Sequence, residues 1–416
     1  MTMATHTALA RASTVSPSQI QMRALREKRA TVRLVEATQL EDHLESWRGL
    51  AKEAITPNPF YEPWTLLSAL GHLRDQGDLR FLLVVGPANK NGTEALWGFF
   101  PLELQSKCLR LPVRTVAFWQ HRYCFLAAPL VDRRHVYEVL DSFWRWFEQN
   151  PLGCNVLDTN YLPADGPFHQ IWSDFTIGRS LHVLNEHPRA FQAPAQTIDS
   201  YIAGLFSPDR RSENVRKERR LRELGAVEYQ LLDNLEGVDA WLDEFIRLEA
   251  AGWKGGPEGD AFAKQAADCA YLRAIIRAGF EEKRVSLLSL RLDGRAIAMR
   301  SVFISGCDAF AFKSTYDEAF SKYSPGLLLV LEHLRRLFGE RGIERMDTCT
   351  APRHPMHDAT ASERRIIRRS IISSGTRRGD FLVSLIPLLR WVKNQLRPNA
   401  GPSYLRVSTR TVRSEN

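Results

Sequence analysis

The chain is 416 residues long, 44% apolar and 25% charged, with a formal net charge of +8. That length predicts two or three domains, and the composition is that of a globular protein rather than a fibrous or disordered one. No run of about 18 apolar residues is present, which excludes a transmembrane helix as read from sequence. The start lacks the basic-then-apolar order of a secretory signal, so a cytoplasmic location is expected.

The charge is unevenly placed. Residues 364–416 hold 12 Lys and Arg against 2 Asp and Glu, a balance of +10, and residues 1–30 hold 5 against 1, a balance of +4. Taken from +8, these leave 31–363 at −6. The basicity belongs to the tails, so no specific nucleic-acid partner is expected for the body. Residues 1–30 read as a disordered basic tail and 356–416 as a basic C-terminal extension. Cys108, Cys124, Cys154, Cys269, Cys307 and Cys349 include no pair at CxxC spacing, and no metal site is expected.

Along the chain, helical periodicity covers about 39–54 and 63–74, followed by strand-like runs at RFLLVVG (80–86) and EALWGFFPLEL (94–104). A helix is expected over 135–149 and a strand over 155–161. Pro188 to Pro194 reads as a linker, and 199–225 as helical. Within 210–222 stand 7 basic and 2 acidic residues, a pattern that usually marks a solvated helix face. Val238, Trp241, Leu242, Phe245 and Leu248 share one face of a further helix. RVSLLSLRL (284–292) and RAIAMRSVFI (295–304) flank Asp293-Gly294, a strong hairpin signal. DAFAFKS (308–314) follows as a strand, then a polar loop. Leu327, Leu331, Leu334 and Phe338 line a helix that Gly342 ends, and IERMDTC (343–349) is the last strand. The order of elements occurs twice. It predicts an α/β fold of two similar domains, 31–190 and 195–355, each a mixed, mainly antiparallel sheet flanked by helices.

The stretch STYDEAFSKYSPGLLLVLEHL (314–334) runs from a strand through a polar loop into an apolar helix. The first N–H groups of a helix lack internal partners and sit in the positive end of its dipole, so such an end can hold an anion. The plainer reading makes Ser324 a cap and Pro325 the first helical residue, with nothing bound.

Four stretches carry a resemblance: NPFYEPW (58–64), RRSENVRKERRLRELGAVEY (210–229), LEAAGWKG (248–255) and YDEAFSKYSPGLLL (316–329). In this order they resemble acyl-CoA N-acyltransferases of the GNAT superfamily, in the branch named for the cellulose-biosynthesis protein CelD, over roughly 35–350. The resemblance implies tandem GNAT-like domains, as in the FemAB group. It also implies acetyl-CoA or another acyl-CoA as cofactor and a small-molecule or saccharide acceptor. The CoA pyrophosphate is then expected on Tyr323, Ser324, Gly326 and Leu327, in the second domain. Trp253 and Lys254 are expected to bind the acceptor. Candidate catalytic groups are Tyr316 and Asp317 between strand and helix, Glu249 on the preceding helix, and Asp347 and His354 after the last strand. Each also has a plain reading: Tyr316 a packed aromatic, Glu249 a surface residue, Asp347 a cap. DTCTAPRHPMHD (347–358) departs from the family's usual Gly and Tyr-Lys ending.

Two other functions fit the same residues. One is a non-catalytic module that meets an anionic polymer or membrane surface through the basic C-terminal segment. There Leu382, Leu385, Leu389, Val392 and Leu396 can share a helix face, with Pro387 expected to kink or restart it. The other keeps the fold but takes an aminoacyl-tRNA donor.

Overall fold

A computed structural model describes residues 30–396 apart from 74–76, 88–93, 110, 150–151 and 353. The N-terminal basic tail and the last twenty residues lie outside the described residues. In the first half, β1 (Thr31–Val35) precedes α1 (Leu44–Glu53), α2 (Pro63–His72), β2 (Asp78–Val85), β3 (Leu96–Gln105), β4 (Thr115–Phe118) and β5 (Leu130–Val131). Then come α3 (Val136–Glu148), β6 (Val156–Pro163), α4 (Gly166–Thr176) and β7 (Leu181–Gln192). The second half opens with α5 (Ile198–Gly204), α6 (Pro208–Arg222), β8 (Val227–Leu231), α7 (Val238–Ala251) and α8 (Ala266–Glu281). It continues with β9 (Val285–Leu292), β10 (Arg295–Ser305), β11 (Asp308–Tyr316), α9 (Pro325–Glu340), β12 (Arg345–Asp347), α10 (Pro355–Ala359), β13 (Glu363–Ser373) and α11 (Arg377–Leu396).

Local chemistry explains several of these. Asp293 (φ 49°) and Gly294 (φ 79°) both take the left-handed turn that a two-residue hairpin needs, and β9 and β10 pair across it. Gly342 (φ 66°) stops α9. Val238, Trp241, Leu242 and Phe245 are buried, as their spacing predicts. The expected helix at 199–225 is two helices, broken where Ser207 accepts from the Arg210 N–H as a cap and Pro208 follows it.

Twelve of the strands described lie in one sheet in the order β1-β2-β3-β4-β6-β13-β7-β12-β11-β10-β9-β8, with β5 pairing β3 off this path. The order is palindromic in kind. Each half supplies four antiparallel strands and a fifth that runs parallel to the fourth: β4 with β6, and β11 with β12. The last strands are exchanged. β13 of the second half pairs β6 of the first, and β7 of the first pairs β12 of the second. Residues 188–192, expected as a linker, are therefore part of β7. The stretch expected as an extension supplies β13 at the centre of the sheet. Pro188, which cannot donate to a ladder, is tolerated because β12 flanks β7 only at Phe191 and Gln192.

The NPFYEPW stretch is the joint between the halves. Asn58 Nδ2 donates to the Leu126 and Ala128 carbonyls at 3.0 and 2.8 Å. The buried Glu62 carboxylate accepts from Trp64 Nε1 at 2.8 Å and from Ser305 Oγ across the halves. The Trp64 ring meets Phe303 edge-on at 4.9 Å.

Candidate active site

β11 and β12 pair only from Asp308↔Arg345 to Phe310↔Asp347, and then diverge. Beyond that point β12 stays with β7, where the Thr348 N–H donates to the Ala190 carbonyl. Residues 311–316 of β11 thus carry a backbone edge, inside a sheet, that no strand among the described residues covers. Unpaired backbone groups there must find side chains, water or a ligand. Among the described residues the first half has no such wedge. β4 ends at Phe118, one residue past its pairing with β6, and Asn160 Nδ2 donates to Gln120 Oε1 just beyond.

α9 begins at the mouth of the wedge. A side chain at Gly326 would touch Tyr316 Cδ1 at 3.5 Å and Met356 Sδ at 3.7 Å, so the strand end, the start of α9 and α10 converge here. Ser324 is in the left-handed region (φ 54°) and makes no side-chain cap. Its Oγ accepts from Lys217 Nζ of α6 at 3.1 Å instead. Neither Ser324 nor Leu327 presents a free N–H: they donate to Ser321 and Ser324 carbonyls at 2.9 and 3.0 Å. The Gly326 N–H is the one the helix geometry leaves over. Tyr323 is half-buried, with Lys322 Nζ 5.0 Å from its ring centre. The rest of the basic run on α6 is mostly a solvated face. Arg210, Arg219 and Arg222 pair with Glu213, Glu223 and Glu218 along the helix.

The expected acid and base candidates part company. Glu249 is not a surface residue: it is 1% exposed, and its carboxylate accepts from Lys254 Nζ at 3.2 Å and the Phe262 N–H at 3.0 Å. Lys254 also donates to the Ser314 carbonyl on the β11 edge at 2.8 Å, which puts this pair beside the wedge. Trp253 is exposed, its backbone N–H held by Glu318 at 2.7 Å. Asp317 caps the 318–323 turn through the Ala319 N–H and pairs with Arg295. Asp347 is buried between Arg189 and Arg365, at 3.5 and 3.2 Å. Burial raises its carboxyl, but the two guanidiniums prevail and hold it below the usual carboxylate range. A group so held is a counter-ion tying β12 to β7 and β13, a poor proton acceptor near neutral pH. His354 caps α10, accepting from the His357 N–H at 3.5 Å. Partial desolvation lowers its imidazole, and the Lys254 charge lowers it further. Cys349 is buried, which raises its thiol well above the ordinary range.

Lys313 is the group the sequence pattern hid. A bulge in the β10–β11 ladder leaves Phe312 unpaired, between Ser301↔Lys313 and Val302↔Ala311. This reverses the alternation and sends Lys313 to the face of α7 and α8. Its Nζ lies 5.1 Å from the ring centres of both Tyr123 and Phe262. Burial and then the Lys254 charge push its ammonium below the ordinary lysine range, against the pull of Asp260, Glu249 and Asp268. Asp268 at the start of α8 is buried and ion-paired to Arg122. Arg122 and Tyr123 come from the first half, so both halves build this cleft. A lone lysine after the apolar run Ala309–Phe312 was its trace in the sequence.

Residues 208–354 match the family described as an acetyltransferase (GNAT) domain. The match lies within the second half and covers its α6 to β12, so this part of the chain is similar to a GNAT acetyltransferase domain. The fold as a whole is similar to a conserved protein of unknown function from Bacteroides thetaiotaomicron VPI-5482, with a TM-score of 0.51 at 9% identity, over 82% of this chain and 99% of that one. It is similar to FemX to the same TM-score of 0.51, at 10% identity, over 82% of this chain and 96% of FemX. At these identities the likeness is one of fold. No curated protein matches the chain. The GNAT domain makes this an acetyltransferase-type enzyme, and the wedge and cleft both lie within that domain or against it. Among the described residues no cluster of side chains could hold a metal ion, and no helix is long and apolar enough to cross a membrane.

Proposed function

We propose that the chain transfers an acyl group from acetyl-CoA or another acyl-CoA to an amine or hydroxyl acceptor, with the cofactor in the second half. The observation that carries this is the uncovered edge of β11 opening onto the start of α9. The residues fit CoA: a linear, amide-bearing arm suits an unpaired strand edge, and the Gly326 N–H, Ser324 Oγ and Lys217 suit a pyrophosphate. When bound, CoA supplies the acyl group as a thioester. Tyr316 and Gly326 border its path, and Trp253 and Lys254 border the acceptor side.

The acceptor must lose a proton as it attacks. Lys313, desolvated and beside a second cation, holds its free-amine form at lower pH than an exposed lysine does, and it faces the cleft. Tyr123, whose phenol is driven upward by burial and by Asp268, keeps its proton and can donate it toward a developing negative charge. Glu249 and Asp347 position: the first fixes Lys254, the second the strands. A sugar or exopolysaccharide precursor as acceptor is supported by the motif resemblance to the CelD branch, an associational warrant.

The test is the thermal shift of the full chain with CoA. A native-state ligand must raise the melting temperature, by an amount set by its concentration over Kd. Gly326→Val should abolish the shift while the circular dichroism spectrum is kept, because valine costs an early helical position well under about 1 kcal/mol. Lys313→Met should retain the CoA shift but lose acyl transfer at all pH values. A shift unchanged in Gly326→Val would sink the assignment of the pyrophosphate end. No CoA shift in wild type would favour a non-catalytic module or an aminoacyl-tRNA donor.

A further inference from the structure

Beneath α9 the fold buries a charge that the protein itself does not balance. Arg300 lies on β10 and is 1% exposed. Arginine does not give up its proton in proteins, and burying an unpaired charge costs several kcal/mol. Among the described residues no carboxylate pairs with it. Its Nη2 lies 3.9 Å from Met346 Sδ and its Nη1 has no partner. Burial alone pushes its guanidinium down, to about 9, with no acid pulling the other way.

Two more buried polar groups stand on the elements packed around it: Val302 of β10, Val330 of α9, Met346 of β12 and Met356 of α10 share one apolar cluster. His333 of α9 bonds Ser286 Oγ through Nε2 at 2.9 Å, and its Nδ1 is left unpartnered. His357 of α10 is buried, with its Nδ1 also unpartnered. Burial drives both imidazoles well below their ordinary range, and Arg300 is the foremost charge acting on each. The remaining charges they feel are cationic, Arg336 and Arg341 for His333 and His354 for His357. Buried polar atoms are almost always satisfied. A water could satisfy the two rings, but it cannot supply the missing negative charge.

We infer that Arg300, His333 and His357 form an internal site for a small monovalent anion, either a halide-sized ion or a carboxylate group. Arg300 supplies the charge, and the two rings supply N–H donors in the tautomers the anion selects. His354, which is exposed, has its ring centre 4.8 Å from that of His357. The site adjoins the backbone edge of β11, since Arg300 lies opposite Ser314 in the β10–β11 ladder, but it uses other groups and stands whether or not CoA is the donor.

The experiment uses the full chain at constant ionic strength, replacing bulky gluconate by chloride or by acetate. The expected result is a melting temperature that rises saturably with the small anion. Arg300→Met should melt no lower than wild type in gluconate, because an uncompensated charge is gone, and should not respond to either anion. A response to both anions marks a resident counter-ion, and a response to acetate alone marks recognition of a carboxylate group. Chloride-35 line broadening by wild type, removed by acetate and by Arg300→Lys, gives the same answer should the methionine variant not fold. A rise that is linear, unsaturated and equal in wild type and variant would overturn the proposal. So would an Arg300→Met protein destabilised alike in every salt.

Discussion

At the scale of single residues, this protein separates charges that hold the fold from charges that face a cleft. Asp347 belongs to the first kind. Its carboxylate lies between Arg189 and Arg365, and the Cys349 N–H donates to it at 2.8 Å. Asp347→Asn should cost about 3–5 kcal/mol in urea unfolding, because it strands two inward-facing guanidiniums rather than because the pair itself is strong. A near-neutral result would mean that those arginines find other partners. Lys313 belongs to the second kind: it has no carboxylate within ion-pairing distance among the described residues, and it stands over two aromatic rings. Its displacement toward the free amine is a property of position, and the same residue one register step away would lie under α9 among apolar side chains.

At the scale of elements, α11 shows how one helix can serve two surfaces. Val383 and Ile386 are buried against β6, β7 and β13, and Leu382 packs with them. Phe381, Leu388, Leu389, Trp391 and Val392 are exposed, Phe381 and Trp391 at 64% and 59%. The helix continues through Pro387, where the sequence predicted a kink or restart, and the face expected at Leu382 and Leu385 is half-buried. Exposed Arg377 and Arg378 precede the apolar face, and the residues from 364 onward carry the +10 balance. Such a face suits an anionic lipid surface. The full chain is expected to sediment with vesicles containing phosphatidylglycerol and not with phosphatidylcholine alone. Phe381→Glu with Trp391→Glu should release it without changing the melting temperature by more than a few degrees. Equal binding to neutral vesicles would point to a different occupant of this face.

At the scale of the whole molecule, the exchanged strands make the two halves interdependent. Ending the chain at residue 362 removes β13 from the middle of the sheet, and no soluble, cooperatively melting protein is expected. Ending it at 396 leaves the described fold intact, and the melting temperature should stay within a few degrees of wild type. One buried and one half-buried histidine set the acid limit. Burial pushes His121 down to about 3 and His187 to about 4, and in both cases a neighbouring arginine adds to it. The unfolded chain takes up protons at these rings below about pH 6.5 that the folded chain refuses. Stability should therefore fall with pH from about 6.5 downward, by about 1.4 kcal/mol per pH unit for each such ring. His121→Phe should flatten that slope, and an unchanged slope would show that other groups set it. The duplicated order of elements, the Asp293-Gly294 hairpin, the amphipathic helices and the convergence of strand and helix at Tyr316 and Gly326 were all legible in the sequence, because each depends on chain-local chemistry. The strand exchange was not, because β7 and β13 pair across 172 to 191 residues of chain, a pairing no local pattern records. Nor was the cleft: Lys313 reaches it only because a bulge reverses the alternation of β11, and Arg122 and Tyr123 reach it only because the halves pack. Periodicity assigns a side chain to a face; which face becomes the site is decided by tertiary contacts.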